Sequence, residues 1–188
     1  MNTASQIDTT VLIVGGGPVG MTMALCLAKR GIPSYLVELR SAETLPDVKC
    51  NHISSRSMEL FRSLGVSQDL RAAGLPDEYP HDVSYRTTTL GEEIARIHIP
   101  GRNTRLTDHS GPDGNWPTPE PPHRINQRYI EPILRRHVQK QTLITCLYRH
   151  QVLAFTQDTN QVTAQIQNLD QPDSQALTLS AAYMVGCD

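Results

Sequence analysis

The stretch from Thr9 to Glu38 constrains the fold more than any other part of the chain. An apolar run, Val11-Leu12-Ile13-Val14, leads directly into Gly15-Gly16-Gly17-Pro18-Val19-Gly20, whose glycines are spaced G-x-G-x-x-G, and a helix-patterned segment follows to Gly31. A second apolar strand, Tyr35-Leu36-Val37, ends on Glu38, eighteen residues beyond Gly20. Strand, tight turn, helix, strand and acidic residue in that order make a complete βαβ dinucleotide-binding unit. Gly15 permits the sharp turn out of the strand, Gly17 leaves the backbone open to a pyrophosphate, and Gly20 lets helix and sheet pack closely. Pro18 and Val19 open the helix, and its unpaired N–H groups and positive dipole end favour an anion there. Glu38 is placed to accept hydrogen bonds from ribose hydroxyls. Its carboxylate repels a 2′-phosphate, so the adenosine is expected to belong to FAD or NAD rather than NADP.

The charge pattern excludes several classes of partner. The 17 basic and 19 acidic residues are spread without blocks and leave a formal charge of −2, so no footprint for nucleic acid or an anionic membrane surface is present. Small neutral or anionic partners fit better. No apolar run reaches the ~18 residues of a spanning helix and no charged-then-apolar leader precedes the first strand, so a cytoplasmic location is expected. Cys26, Cys50, Cys146 and Cys187 form no C-x-x-C pair and read as reduced packing residues. The histidines are scattered without ligand spacing, and no metal is expected.

The polar segment Met1 to Asp8 reads as a frayed lead-in. In the first helix Gly20, Met23, Ala24, Leu27 and Ala28 are expected to face the sheet, with Gly31 beyond its end. Arg40 follows Glu38; contact with the adenine or pyrophosphate and a solvated surface position both remain open. Short helices are predicted after Ser54, with apolar Leu60, Phe61 and Leu64, and over Gln68 to Ala73. Alternation at Val83, Tyr85 and Thr87, then Ile94, Ile97 and Ile99 beyond Gly91, predicts an antiparallel hairpin. The proline-rich segment from Gly101 to Pro122 cannot be a regular element; it reads as a lining or lid for a site, with Trp116 its most apolar member, or as a connector.

A short strand, His123 to Ile125, feeds a helix capped by Asn126. Ile130, Ile133, Leu134 and Val138 share its apolar face, Pro132 implies a kink or a late start, and Arg135 and Arg136 face away. Strands are predicted over 142–147, 152–156 and 162–167, the last two an antiparallel pair. A further short strand is expected at Leu177-Thr178-Leu179, and a buried one from Tyr183 to Cys187.

Four segments together resemble the FAD-dependent aromatic hydroxylases, the single-component flavoprotein monooxygenases related to phenol 2-monooxygenase and p-hydroxybenzoate hydroxylase. They are Val14 to Gly20, Arg56-Ser57-Met58-Glu59-Leu60 before Leu64-Gly65, Ile125-Asn126-Gln127 before Glu131-Pro132-Ile133-Leu134, and Val185-Gly186-Cys187-Asp188. The resemblance implies an α/β fold: a Rossmann-like FAD-binding fold with a parallel sheet, an inserted antiparallel hairpin and a β-meander. It also implies that the chain, 1–188, corresponds to the N-terminal part of such an enzyme, with 82–122 beginning a substrate-side insertion.

Position by position, the resemblance makes Gly15, Gly17 and Gly20 the pyrophosphate turn and Glu38 the ribose ligand. Arg56 matches an arginine that approaches the FAD phosphates, Gln127 a glutamine near the ribityl chain, and Asp188 the aspartate of a second fingerprint. The implied activity is hydroxylation of a phenolic or related aromatic substrate with FAD as cofactor, NAD(P)H as co-substrate and O₂. No catalytic residue is assigned; His52, Tyr85 and Arg86 fall near a flavin in the family pattern but read more readily as ordinary loop and strand residues. The alternative is a non-catalytic FAD- or nucleotide-binding fragment, or a subunit acting beside a complementing C-terminal chain.

Overall fold

The computed structural model describes residues 8–46, 49–112 and 114–187. In chain order the elements are β1 (Thr9–Val14), α1 (Pro18–Ala28), β2 (Ser34–Glu38), α2 (Ser55–Ser63), α3 (Ser67–Ala72), β3 (Val83–Arg86), β4 (Glu93–Ile97), α4 (Gln127–Gln139), β5 (Ile144–Tyr148), β6 (His150–Gln157), β7 (Val162–Asn168) and β8 (Leu177–Gly186). The chain divides into two units, one of residues 1–46 with 131–188 and one of residues 47–130. Of the expected frayed lead-in, Met1 to Asp8, residues 1–7 lie outside the described residues, as does the role expected of Asp188. Asp8 is tied down: its N–H bonds the Ser180 carbonyl at 2.9 Å and its Oδ2 accepts the Ser180 N–H at 2.8 Å.

The first unit is built on a six-stranded sheet in the order β5-β2-β1-β8-β7-β6. β5, β2, β1 and β8 run parallel, while β8, β7 and β6 form an antiparallel meander. Leu12, Ile13 and Leu36 are fully buried, as unalternating apolar runs in a parallel sheet require. A core cluster joins Leu12 and Val37 to Ala164, Ile166, Leu179 and Ala181 of the meander.

The two short strands expected near the end are one, because β8 pairs antiparallel with β7 over 177–181 and then parallel with β1 over 181–186. Ser180, Ala181 and Ala182 break the sequence pattern, but ladder hydrogen bonds on both flanks override their weak strand preference. The end of that strand is also less buried than its apolar sequence suggests, with Tyr183 67% exposed. In α1 the buried stripe is Gly20, Met21, Ala24 and Leu25 rather than Met23, Leu27 and Ala28, since the close approach at Gly20 sets the rotation of the helix.

The expected apolar face of α4, with Ile130, Ile133, Leu134 and Val138, is buried. Asn126 accepts the Arg128 N–H at 2.9 Å, and the helix runs from Gln127 through Pro132 without a late start. Arg135 does not face away. Its guanidinium donates to the Ala42 carbonyl and lies 5.8 Å over the Tyr148 ring.

In the second unit Ser54 caps α2 by accepting the Ser57 N–H, and Met58 and Phe61 are its buried residues, whereas Leu60 is exposed. Residues 50–53 lie alongside 123–127 through backbone bonds such as Ile53 N–H to the His123 carbonyl, 2.8 Å. β3 and β4 form the expected antiparallel hairpin, with every residue of both strands exposed. Among the described residues, 101–112 and 114–122 carry no regular element; Trp116 is half-buried there, stacked on His109 at 4.9 Å with Arg105 at 5.1 Å. The four cysteines are unbridged, and Cys50 is exposed rather than packed. Among the described residues no helix is long and apolar enough to cross a membrane.

Candidate functional site

The turn after β1 is shaped by contacts at particular glycines. Gly15 has φ +109°, the left-handed region that a side chain disfavours, and its N–H bonds the Val37 carbonyl at 2.8 Å. A Cβ on Gly20 would lie 1.9 Å from the Gly15 carbonyl oxygen, so α1 starts in backbone contact with the turn. Gly17 is the residue before the helix, Pro18 its first, and no side chain caps the N–H groups of that first turn. A Cβ on Gly17 would meet no atom within 4 Å, and Val19 is exposed beside it.

Glu38, at the end of β2, reaches back to this turn. Its Oε2 accepts the Gly16 N–H at 2.6 Å, while Oε1 accepts both the backbone N–H and the Nε–H of Arg40 at 2.8 Å. Burial by itself raises the Glu38 pKa, but the hydrogen bonds from Arg40 and Gly16 and the Arg40 charge outweigh it and hold the carboxyl below its ordinary value. The group is therefore an ionised acceptor at neutral pH. Arg40, left open by its sequence between a cofactor contact and a solvated surface position, bonds carboxylates of its own chain. Its Nη2 reaches Glu131 Oε2 at 3.4 Å, and Glu131 is fully buried.

Two members of this arrangement are not evident from the motif. Gly16 occupies a variable position of G-x-G-x-x-G, yet a Cβ there would lie 2.7 Å from Glu38 Cβ and 2.9 Å from its Oε2. The run of three consecutive glycines was the available signal. Glu131 had one too: it is a carboxylate three and seven residues before Leu134 and Val138, on the buried stripe of α4.

Gly15 to Gly20, Glu38 and Arg40 are thus brought together in the first unit. Arg56 and Gln127 belong to the second. The Arg56 side chain is 87% exposed and pairs with Glu59 at 3.3 Å, one turn along α2. Gln127 opens α4, its N–H bonding the Cys50 carbonyl at 2.9 Å. Asp188 lies outside the described residues. The second unit also carries a half-open pocket of about 190 Å³ lined by Arg71, His81, Arg102, Glu120 and His123, among others.

Residues 8–188 match the family model described as FAD binding domain. The chain belongs to that family. This FAD-binding chain is 30% identical to phenol 2-monooxygenase of Pseudomonas sp. (strain EST1001), an alignment that covers 100% of the chain and 30% of the relative. It is 28% identical to 2,4-dichlorophenol 6-monooxygenase of Cupriavidus pinatubonensis, over 98% of the chain and 30% of that protein. Among solved structures it is similar to the rebeccamycin biosynthetic enzyme RebC with reduced flavin (33% identity, TM-score 0.81, 97% of this chain and 32% of that one). The flavin-dependent monooxygenase PieE, in complex with FAD and substrate, gives 28% identity and a TM-score of 0.80 over 97% of this chain and 31% of that one. The chain therefore spans about 30% of the length of the curated relatives it matches. The resemblance to the N-terminal part of FAD-dependent aromatic hydroxylases holds.

Proposed function

We propose that this chain is the FAD-binding part of a flavoprotein monooxygenase that hydroxylates a phenolic or related aromatic substrate with NAD(P)H and O₂. The observation that carries the cofactor assignment is the open space at Gly17 beside the uncapped N-terminus of the eleven-residue α1, with the ionised Glu38 docked on the same turn. Unpaired N–H groups at the positive end of a helix dipole fit a pyrophosphate, and the carboxylate fits an unphosphorylated ribose. The relatives named for phenol and dichlorophenol hydroxylation support the aromatic substrate class.

FAD, when bound, supplies the redox chemistry that takes electrons from NAD(P)H and passes an oxygen atom of O₂ to the ring. The chain's own residues bind and orient. Gly15, Gly17, Pro18, Val19 and Gly20 form the pyrophosphate turn, Glu38 accepts from the ribose, and Arg40 secures Glu38. Arg56 offers a guanidinium to the phosphates, Gln127 an amide to the ribityl chain, and Asp188 a contact nearer the flavin. The segment 82–122 begins the substrate side.

Titration of purified chain with FAD tests the reading. It is expected to turn yellow and quench flavin fluorescence, and Gly17→Val is expected to abolish binding with the thermal midpoint unchanged, because the added side chain meets no protein atom but fills the pyrophosphate space. Colourless protein, or full affinity in that variant, overturns the site. Yellow protein whose NAD(P)H oxidation is not accelerated by phenols favours the alternative, an FAD module acting beside a complementing C-terminal chain.

A further inference from the structure

We propose that Glu131 is a positioning residue for the ribose subsite, acting through Arg40 to hold the Glu38 carboxylate in its acceptor orientation. The inference rests on the reading of Glu38 as the ribose ligand. The chain of contacts is continuous within the first unit: Gly16 N–H to Glu38 Oε2, Glu38 Oε1 to Arg40 Nε, Arg40 Nη2 to Glu131 Oε2. It joins the glycine turn, the end of β2 and α4, with Arg40 and Glu131 lying 91 positions apart along the chain.

Glu131 stands where α4 would otherwise carry an apolar residue. A carboxylate in that place costs desolvation unless it is paired, so its presence needs a compensating contact, and the Arg40 guanidinium supplies one. Arg40 needs an anchor of its own. Its side chain is 34% exposed and long, with many rotamers open to it, and the contact with Glu131 is a second fixed point that helps keep Nε directed at Glu38.

The geometry also divides the labour between the two oxygens of Glu38. A carboxylate oxygen has about two lone-pair sites. Oε1 already accepts two donors, both from Arg40, while Oε2 accepts one, from Gly16. The position left for a ribose hydroxyl is on Oε2, next to the turn. If Arg40 swings out, Oε1 loses its side-chain donor and the carboxylate is free to rotate away from that position.

The test compares nucleotides that differ in the ribose. In Glu131→Gln the Kd for FAD is expected to rise about tenfold, while that for FMN, which lacks the adenosine, stays within about twofold. The preference for ADP over 2′,3′-dideoxy-ADP shrinks in parallel. Adding Glu131→Gln to Glu38→Gln changes nothing further, because the residue acts only through Glu38. Glu131→Met guards against a folding artefact: it suits the apolar stripe of α4, keeps the thermal midpoint and still loses the ribose preference. Equal losses for FAD and FMN, or an unchanged FAD affinity, overturn the positioning role. If Glu38→Gln itself leaves the ADP preference intact, the ribose reading of Glu38 fails, and the role of Glu131 with it.

Discussion

Glu38 in the first unit and Glu93 in the second are both carboxylates held below their ordinary titration range, by different means. Glu38 is buried, and backbone N–H groups of Gly16 and Arg40 share it with the Arg40 side chain. Glu93 stands on the exposed hairpin, where Arg96 grips it with two bonds and Ser84 and Arg86 add one each. Those contacts, the Arg96 hydrogen bonds first, hold it at about 2. A shift on a solvated hairpin reports local ion pairing that water screens, whereas the shift on a buried group balances a desolvation cost against fixed donors. Titration alone does not rank them; burial and the rigidity of the partners do.

The largest expected effect that sharpens this contrast is at the turn that holds Glu38. Gly20→Ala places Cβ against the Gly15 carbonyl oxygen, a backbone atom that cannot step aside, and is expected to cost about 4 kcal/mol or more. Urea denaturation followed by circular dichroism measures it, and an unchanged midpoint contradicts the tight turn.

An intermediate effect belongs to the buried part of the second unit. His123 is held at about 4 mainly by burial, with the charges of Arg71, Arg102 and His81 adding to it and the bond from Nε2–H to the Leu70 carbonyl opposing it. The unfolded chain, with His near 6.5, binds the proton first, so native stability falls as pH drops from about 6.5 to 4, by about 3 kcal/mol from this group, and no further below that. Denaturation at a series of pH values is expected to show a shallower acid limb in His123→Gln, which keeps a donor for Leu70 and does not titrate. An unaltered limb assigns the acid sensitivity elsewhere.

The smallest effect is at Glu93. Glu93→Gln is expected to leave the unfolding midpoint where it was, because the hairpin is exposed throughout and its ion pairs are solvated. A clear fall in the midpoint would make the hairpin network as consequential as the Glu38 site and erase the difference between the units.

The βαβ unit was legible because its signals are local: an apolar run, a glycine that must take positive φ, a helix start and an acidic strand end. The hairpin and the irregular 101–122 segment were legible for the same reason, alternation in one case and proline content in the other. Misreadings came where the decisive contact is remote. The rotation of α1 depends on Gly20 meeting Gly15, and the inward reach of Arg135 depends on the Ala42 carbonyl. The continuity of β8 depends on two neighbouring strands that hold small residues in an extended run.

The candidate site divides along the same line. The amino-acid order alone determined a glycine turn at Gly15 to Gly20 and an acidic residue at Glu38, because sterics and periodicity act between near neighbours along the chain. Only the tertiary structure decided that Gly16 donates to Glu38 across 22 positions and that Arg40 meets Glu131 across 91. Those pairings arise from strand order and helix packing, which bring distant backbone segments within hydrogen-bond reach and leave no periodic trace in the sequence.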